Sequence, residues 1–350
     1  MSHVVSVSAV TGPHLHSQAD IAATIAPLLT SDDARAAAAR RLADAAGVRT
    51  RGLALPLTAY ADLDGFGAAN EAFVRVGQEL AERVVVDALS RAGLTPADVD
   101  VLVFTTVTGV SAPSLDALVA LRLGMRPDVR RVPSFGLGCA GGAGALGIGH
   151  ELLAARPRGV AVVLSVELCS LTLQREDTTA NLVAAGLFGD GAAAAVLVGA
   201  HHPAARGPQV VDAAAGLYPG TADQLGWAVR DSGFGIVLSP GLPALIEAHL
   251  ADDVAAFLEP HDLKPRDVAT WTVHAGGPRI LDAVRAALDL DPDALAASRA
   301  SLARAGNLSS ASVLGVLATH LAEPHEPGSA GVVMAFGPGI GVELVLVRWP

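Results

Sequence analysis

Short apolar runs alternate along this chain with longer stretches of small, helix-forming residues. Residues 3–10 alternate valine with small polar positions and predict a strand. Residues 17–46 are alanine-rich and predict helix, with Ser31-Asp32-Asp33 as a helix-start signal. Residues 47–66 hold Gly, Pro and Arg and predict a surface loop, and 68–93 a long helix stopped by Gly93 and Pro96. The run from Asp100 to Thr106 is short, apolar and β-branched, as a buried strand is. Arg131–Phe135 leads into Gly136-Leu-Gly-Cys139-Ala-Gly-Gly and a small-residue helix to about Ala155. Residues 159–166 and 191–198 predict two more strands.

The second half repeats this rhythm. Residues 209–214 and 235–238 predict strands, and a helix follows near 241–258. Thr270-Trp-Thr-Val-His274 is a strand ending in histidine, Gly306-Asn307 opens a helix, and 331–336 and 342–347 close the chain as paired strands. Each half thus reads strand, helix, strand, a helix with a special residue at its start, then two strands. That order predicts packed α/β layers built from two fused, similar halves, 1–205 and 206–350.

Composition narrows the class. Hydrophobic residues make up 51% and charged residues 17% of the 350, which excludes a disordered chain. A net charge of -11 argues against nucleic acid as the main partner. Two cysteines form neither a disulfide framework nor a thiolate metal cage, which fits a reducing compartment. The amino terminus lacks a basic, apolar signal pattern and no stretch of ~20 residues is apolar enough to span a bilayer. A cytoplasmic globular enzyme is expected.

Cys139 is the most informative position. It lies among glycines at a strand-to-helix turn, where small neighbours admit a substrate and a helix start lowers a thiol pKa. The bland alternative is an inert buried cysteine. Cys169, after an apolar strand, reads as packing near the site. His274 sits at a strand's carboxyl end before Ala275-Gly-Gly-Pro, where α/β sites form, and Asn307 reads either as a helix cap or as an amide donor. Together they make a Cys–His–Asn set able to run thiol chemistry. Papain-like proteases share that order, but the local setting of their cysteine is absent here. Gly186–Gly191 and Gly337-Pro-Gly339 are turn formers without the context of a phosphate loop. The eleven histidines show no metal-like cluster, so no metal is expected.

Five motifs in order make the combination specific: Gly138-Cys-Ala-Gly-Gly142, Leu187-Phe-Gly-Asp-Gly-Ala192, His274-Ala-Gly-Gly-Pro278, Gly306-Asn-Leu-Ser-Ser-Ala311 and Phe336-Gly-Pro-Gly339. With them the chain resembles, over nearly its whole length, the type III polyketide synthases of the chalcone and stilbene synthase family. The resemblance implies a thiolase fold, two βα halves stacked as five layers (αβαβα), a homodimer, and acyl-CoA and malonyl-CoA as substrates without a further cofactor. By motif position it implies Cys139 as the nucleophile that carries the chain. It implies His274 and Asn307 as the pair holding the thioester oxygen, and Phe188 as the gatekeeper. Val107, Cys169, Thr172, Trp227, Ile236 and Ser309 would line the cavity. Arg40, Arg41, Gly276 and Gly277 would meet coenzyme A, although Ala38 and Ala45 stand where plant enzymes have lysine. A Cys139 thiolate paired with a His274 imidazolium would follow.

Ketoacyl-carrier-protein synthase III shares the fold and the Cys–His–Asn set, but its histidine lies in a His-Gln-Ala-Asn segment unlike His274-Ala-Gly-Gly-Pro. Phe135-Gly-Leu-Gly-Cys and Ser165–Gln174 are similar to bacterial alkylresorcinol and alkylpyrone synthases, which accept fatty acyl starters. The expected reaction is iterative decarboxylative condensation of malonyl-CoA or methylmalonyl-CoA on an acyl-CoA starter, then cyclisation to an alkylpyrone or alkylresorcinol. Two alternatives stay open: a single condensation of the synthase III kind, and a small-starter pyrone or phloroglucinol-type synthase. Trp227, where plant enzymes keep glycine, either closes the usual starter pocket and sends an acyl chain through another tunnel, or limits the starter to something small.

Overall fold

A computed structural model describes all 350 residues, Met1–Pro350. The first half runs β1 (Ser2–Thr11), β2 (His14–Ser17), α1 (Gln18–Leu29), α2 (Asp33–Ala45), β3 (Thr50–Leu53), α3 (Gly65–Ala92), β4 (Val101–Thr106), α4 (Leu115–Arg122), β5 (Arg130–Phe135), α5 (Gly141–Ala154), β6 (Val160–Leu168), α6 (Thr179–Leu187) and β7 (Asp190–Gly199). The second runs β8 (Gln209–Leu217), β9 (Leu225–Arg230), β10 (Gly233–Leu238), α7 (Leu242–Leu258), β11 (Val268–Val273), α8 (Pro278–Ala287), α9 (Ala296–Ala305), α10 (Ser310–Leu321), β12 (Ala330–Gly337) and β13 (Gly341–Arg348).

The main sheet has the order β11-β12-β13-β8-β1-β7-β6-β4-β5. It divides by half of the chain, and the two parts join through the pairs Ser2–Val210 and His3–Gln209. Both faces of each part are covered, which is why β6 and β7 are buried along their whole length. Val162, Leu164, Val166 and Leu168 of β6 share one core with α3. Ala161 and Val163, on the opposite face, share another with α5 and α10. A third core packs α7 and α8 on the outer face of β11–β13. The layers are therefore helix, sheet, central helices, sheet, helix, the five-layer thiolase arrangement.

The central helices explain the small-residue motif. A Cβ on Gly142 would lie 2.2 Å from the Ser310 carbonyl oxygen, and one on Gly141 would lie 2.3 Å from Thr105 Oγ1. Only glycine lets α5 approach α10 and β4 this closely. Their amino-terminal ends consequently lie side by side.

Two expectations are corrected. The helix expected over 17–46 is two helices. Pro27 lies near the end of the first, and Asp32 caps the second by accepting from Arg35 N at 3.0 Å. The loop expected over 47–66 contains β3, which pairs antiparallel with β2 from His14–Leu53 to Ser17–Thr50. That pairing spans over thirty residues, so no local window reveals it. No helix is long and apolar enough to cross a membrane.

Candidate active site

Cys139 lies in a single 3-10 turn between β5 and α5. Gly136 (φ +105°) and Gly138 (φ +51°) supply the backbone shape, and a Cβ on Gly138 would meet Pro338 Cδ at 2.5 Å. Across from it, Ser309 precedes α10 with φ +47°, a strained conformation for a residue with a side chain. The Cys139 thiol donates to Ser309 Oγ at 3.7 Å.

The same end of α10 orients Asn307. Its Oδ1 accepts from Ser309 N at 2.8 Å and its Nδ2 donates to the Gly276 carbonyl at 3.1 Å. One amide N–H stays available. Gly276 is two residues past His274, whose own backbone N donates to Met334 O at 2.8 Å. The imidazole packs over Gly276, where a Cβ would sit 3.1 Å from His274 Cδ2. His274 is buried, yet neither ring nitrogen has a hydrogen-bond partner. A neutral imidazole carries one donor and one acceptor, so both ring nitrogens are open to a ligand.

Glu167 completes the cluster, and sequence reasoning missed it. It is fully buried in β6, in phase with Ser165 on the face toward α10. It accepts from Ser309 Oγ (3.2 Å), Thr108 Oγ1 (2.9 Å), Val107 N (3.1 Å) and Ser310 Oγ. A lone carboxylate inside a continuous apolar run was the available signal: burial there demands partners.

The electrostatics run against the expected resting ion pair. Cys139 keeps some accessible surface, but protein crowds it, and this desolvation, reinforced by Glu167, pushes the thiol up to about 12 against the opposing pull of Ser309 and Asn307. Burial alone lowers His274 to about 4. The helix start does not outweigh desolvation, so thiol and imidazole are both neutral at rest. Alkylation of Cys139 by iodoacetamide should therefore climb about tenfold per pH unit from pH 7 to 10, following the thiolate fraction. A plateau by pH 7 would instead reveal a resting thiolate.

Beside the cluster lies a narrow, mostly apolar cavity. Cys169, Thr172, Trp227 and Ile236 are among the residues lining it, and so is Phe188, the expected gatekeeper. Trp227 and Ile236 face one another in the β9–β10 hairpin. Val107 and Ser309 do not line it. Val107 is 3% exposed and ties its backbone to Glu167, and Ser309 bridges the thiol and that carboxylate.

Known proteins share this architecture. Residues 209–349 match the family described as chalcone and stilbene synthases, C-terminal domain, and 67–208 match FAE1/type III polyketide synthase-like protein. A 1,3,6,8-tetrahydroxynaphthalene synthase of Streptomyces peucetius is 51% identical over 99% of this chain and 93% of its own. The chain belongs to the type III polyketide synthases. The alpha-pyrone synthesis polyketide synthase-like Pks18 of Mycobacterium tuberculosis is 35% identical to this synthase over 71% of the chain and 65% of its own. The crystal structure of the Streptomyces coelicolor tetrahydroxynaphthalene synthase superposes on it with a TM-score of 0.93 at 33% identity, covering 99% of both chains. As a type III polyketide synthase, the protein is an acyltransferase working on coenzyme A thioesters.

Arg40 and Arg41 are exposed on α2 and form no ion pair. The loop after α2 abuts the segment holding Gly276 and Gly277, since a Cβ on Gly47 would lie 3.5 Å from Pro278 Cγ. Gly277 adopts φ +147° at the start of α8.

Proposed function

We propose that this synthase uses malonyl-CoA as both starter and extender and builds a tetrahydroxynaphthalene-type polyketide. The observation that carries the reading is Trp227, whose bulky indole lines the cavity together with Phe188 and Thr172. The full-length likeness to a protein named for that product supports it. Ten ring carbons need five two-carbon units. Five malonyl-CoA therefore yield one tetrahydroxynaphthalene, five CO₂, five free coenzyme A and one water, with no oxidant required.

In this reading Cys139 Sγ attacks the starter thioester. Its proton passes to His274 as the sulfur–carbon bond forms, and then to the departing coenzyme A sulfur. Extender malonyl-CoA loses CO₂ when its thioester oxygen sits between the His274 ring and the free Asn307 N–H. The enolate carbon attacks the Cys139-bound acyl carbonyl, the sulfur–carbon bond breaks, the released Cys139 sulfur takes up a proton from solvent, and the lengthened chain remains on the extender's coenzyme A thioester. Transfer back to Cys139 begins the next cycle. Donors aimed at a developing oxyanion in a dry site act without reorganising. Arg40 and Arg41 face the coenzyme A phosphates.

Mass spectrometry of products from malonyl-CoA alone, and with acetyl-, octanoyl- or palmitoyl-CoA added, tests this. Malonyl-CoA alone should suffice, and long starters should add little. Alkylpyrones or alkylresorcinols as the main products from long starters would favour the fatty-acyl reading. Trp227→Gly should admit octanoyl-CoA and raise its products by about tenfold, because a removed indole frees the wall for methylenes worth about 0.8 kcal/mol each.

A further inference from the structure

Arg51, in the middle of β3, is 2% exposed. A guanidinium so buried is costly unless its donors are used. Its Nε donates to Gln18 Oε1 at 2.9 Å and its Nη1 to the Phe188 carbonyl at 2.6 Å. Gln18 donates in turn through Nε2 to Ala43 O (3.0 Å) and Gly186 O (2.6 Å). Asp190, two residues past Phe188, supplies the nearby counter-charge and itself accepts from Ser170 N at 2.7 Å.

The segment held by this strut is zipped to Asn307. Asn307 N donates to Leu187 O at 2.9 Å and Gly189 N donates to Asn307 O at 3.0 Å, so Phe188 and Asn307 form an isolated parallel bridge. The stem of Arg51 lies against that bridge. A Cβ on Gly306 would fall 2.9 Å from Arg51 Cδ and 2.7 Å from Leu187 O, and Gly306 has φ +73°. One buried side chain therefore fixes both the backbone of the expected gatekeeper and the backbone from which the Asn307 amide departs.

We infer that Arg51 is a positioning residue that fixes the Phe188–Asn307 bridge and so aims the Asn307 amide at the thioester oxygen. The inference rests on the role of Asn307 proposed above. Lysine keeps the charge opposite Asp190 but lacks the planar fork that serves Gln18 and Phe188 together.

The test compares full-length Arg51→Lys, Arg51→Ala and Asn307→Ala by CO₂ release from malonyl-CoA, product profile and thermal melting. Arg51→Lys should melt close to wild type. Its decarboxylation kcat should fall about tenfold with KM within about twofold, as expected of a misaimed donor, and products should shift toward shorter chains. Arg51→Ala should fall further and recover in part with dilute guanidinium. If Arg51→Ala does not fold, Arg51→Lys decides alone. Wild-type kcat and products in Arg51→Lys would overturn the inference, as would a rate loss that only tracks the unfolded fraction. Wild-type decarboxylation in Asn307→Ala would overturn the role of Asn307 instead, which separates the two failures.

Discussion

Replacing either His274 or Asn307 by alanine should slow malonyl-CoA decarboxylation by about 100–1000-fold, the usual cost of losing one oxyanion donor. Cys139→Ala should abolish chain growth while leaving decarboxylation within about tenfold of wild type, because forming the enolate uses the two donors and not the sulfur. The geometry supports this division. Asn307 is held through both ends of its amide, at 2.8 Å and 3.1 Å, while the imidazole of His274 is buried with both nitrogens unpaired. Its pKa near 4 keeps His274 neutral across the working range, so decarboxylation should be flat in His274 ionisation from pH 6 to 8. Below pH 4 the ring charges. Carbon dioxide release by the three variants, with product analysis by mass spectrometry, checks the pattern. A Cys139→Ala protein as slow as the His274 variant would sink the division of labour.

Much of this site is legible in the sequence. Cys139, His274 and Asn307 stand in glycine-rich turns whose small neighbours are needed for close approach, and such turns leave a local signature. Motif position assigns Thr172, Trp227 and Ile236 to the cavity, and all three are among its lining residues. Charge balance was less legible. A helix start favours a lowered thiol pKa, but desolvation exceeds it, and that burial exists only once the layers are stacked. The β2–β3 ribbon and the Arg51 strut were hidden for the same reason. Their partners lie from over thirty to over one hundred residues away. Val107 was placed at the cavity by motif position alone, whereas its backbone is drawn to a carboxylate that no motif flagged.

That carboxylate carries the second large expectation. Burial raises Glu167 from an ordinary carboxylate value to about 7, against the pull of its hydrogen-bond donors. The folded protein therefore holds its proton more tightly than the unfolded chain does. Stability from this group is fully present below about pH 4.5 and is lost as pH rises through 7. The size is on the order of 3 kcal/mol between those limits, at about 1.4 kcal/mol per pKa unit. Asp190 and Glu343 are raised in the same direction, to about 6 and about 7, so a difference between variants isolates Glu167. Glu167→Gln removes the titration. Measured by thermal melting, wild type should lose several degrees relative to Glu167→Gln between pH 5 and pH 8, and little beyond. Condensation should fall by about tenfold at pH 7 even where the fold is intact. An amide presents two N–H groups to a shell of donors, and Ser309 then loses the acceptor that holds it beside Cys139. A melting difference independent of pH would show that Glu167 is ionised, or protonated, throughout. Unchanged condensation would show that Ser309 keeps its place without it.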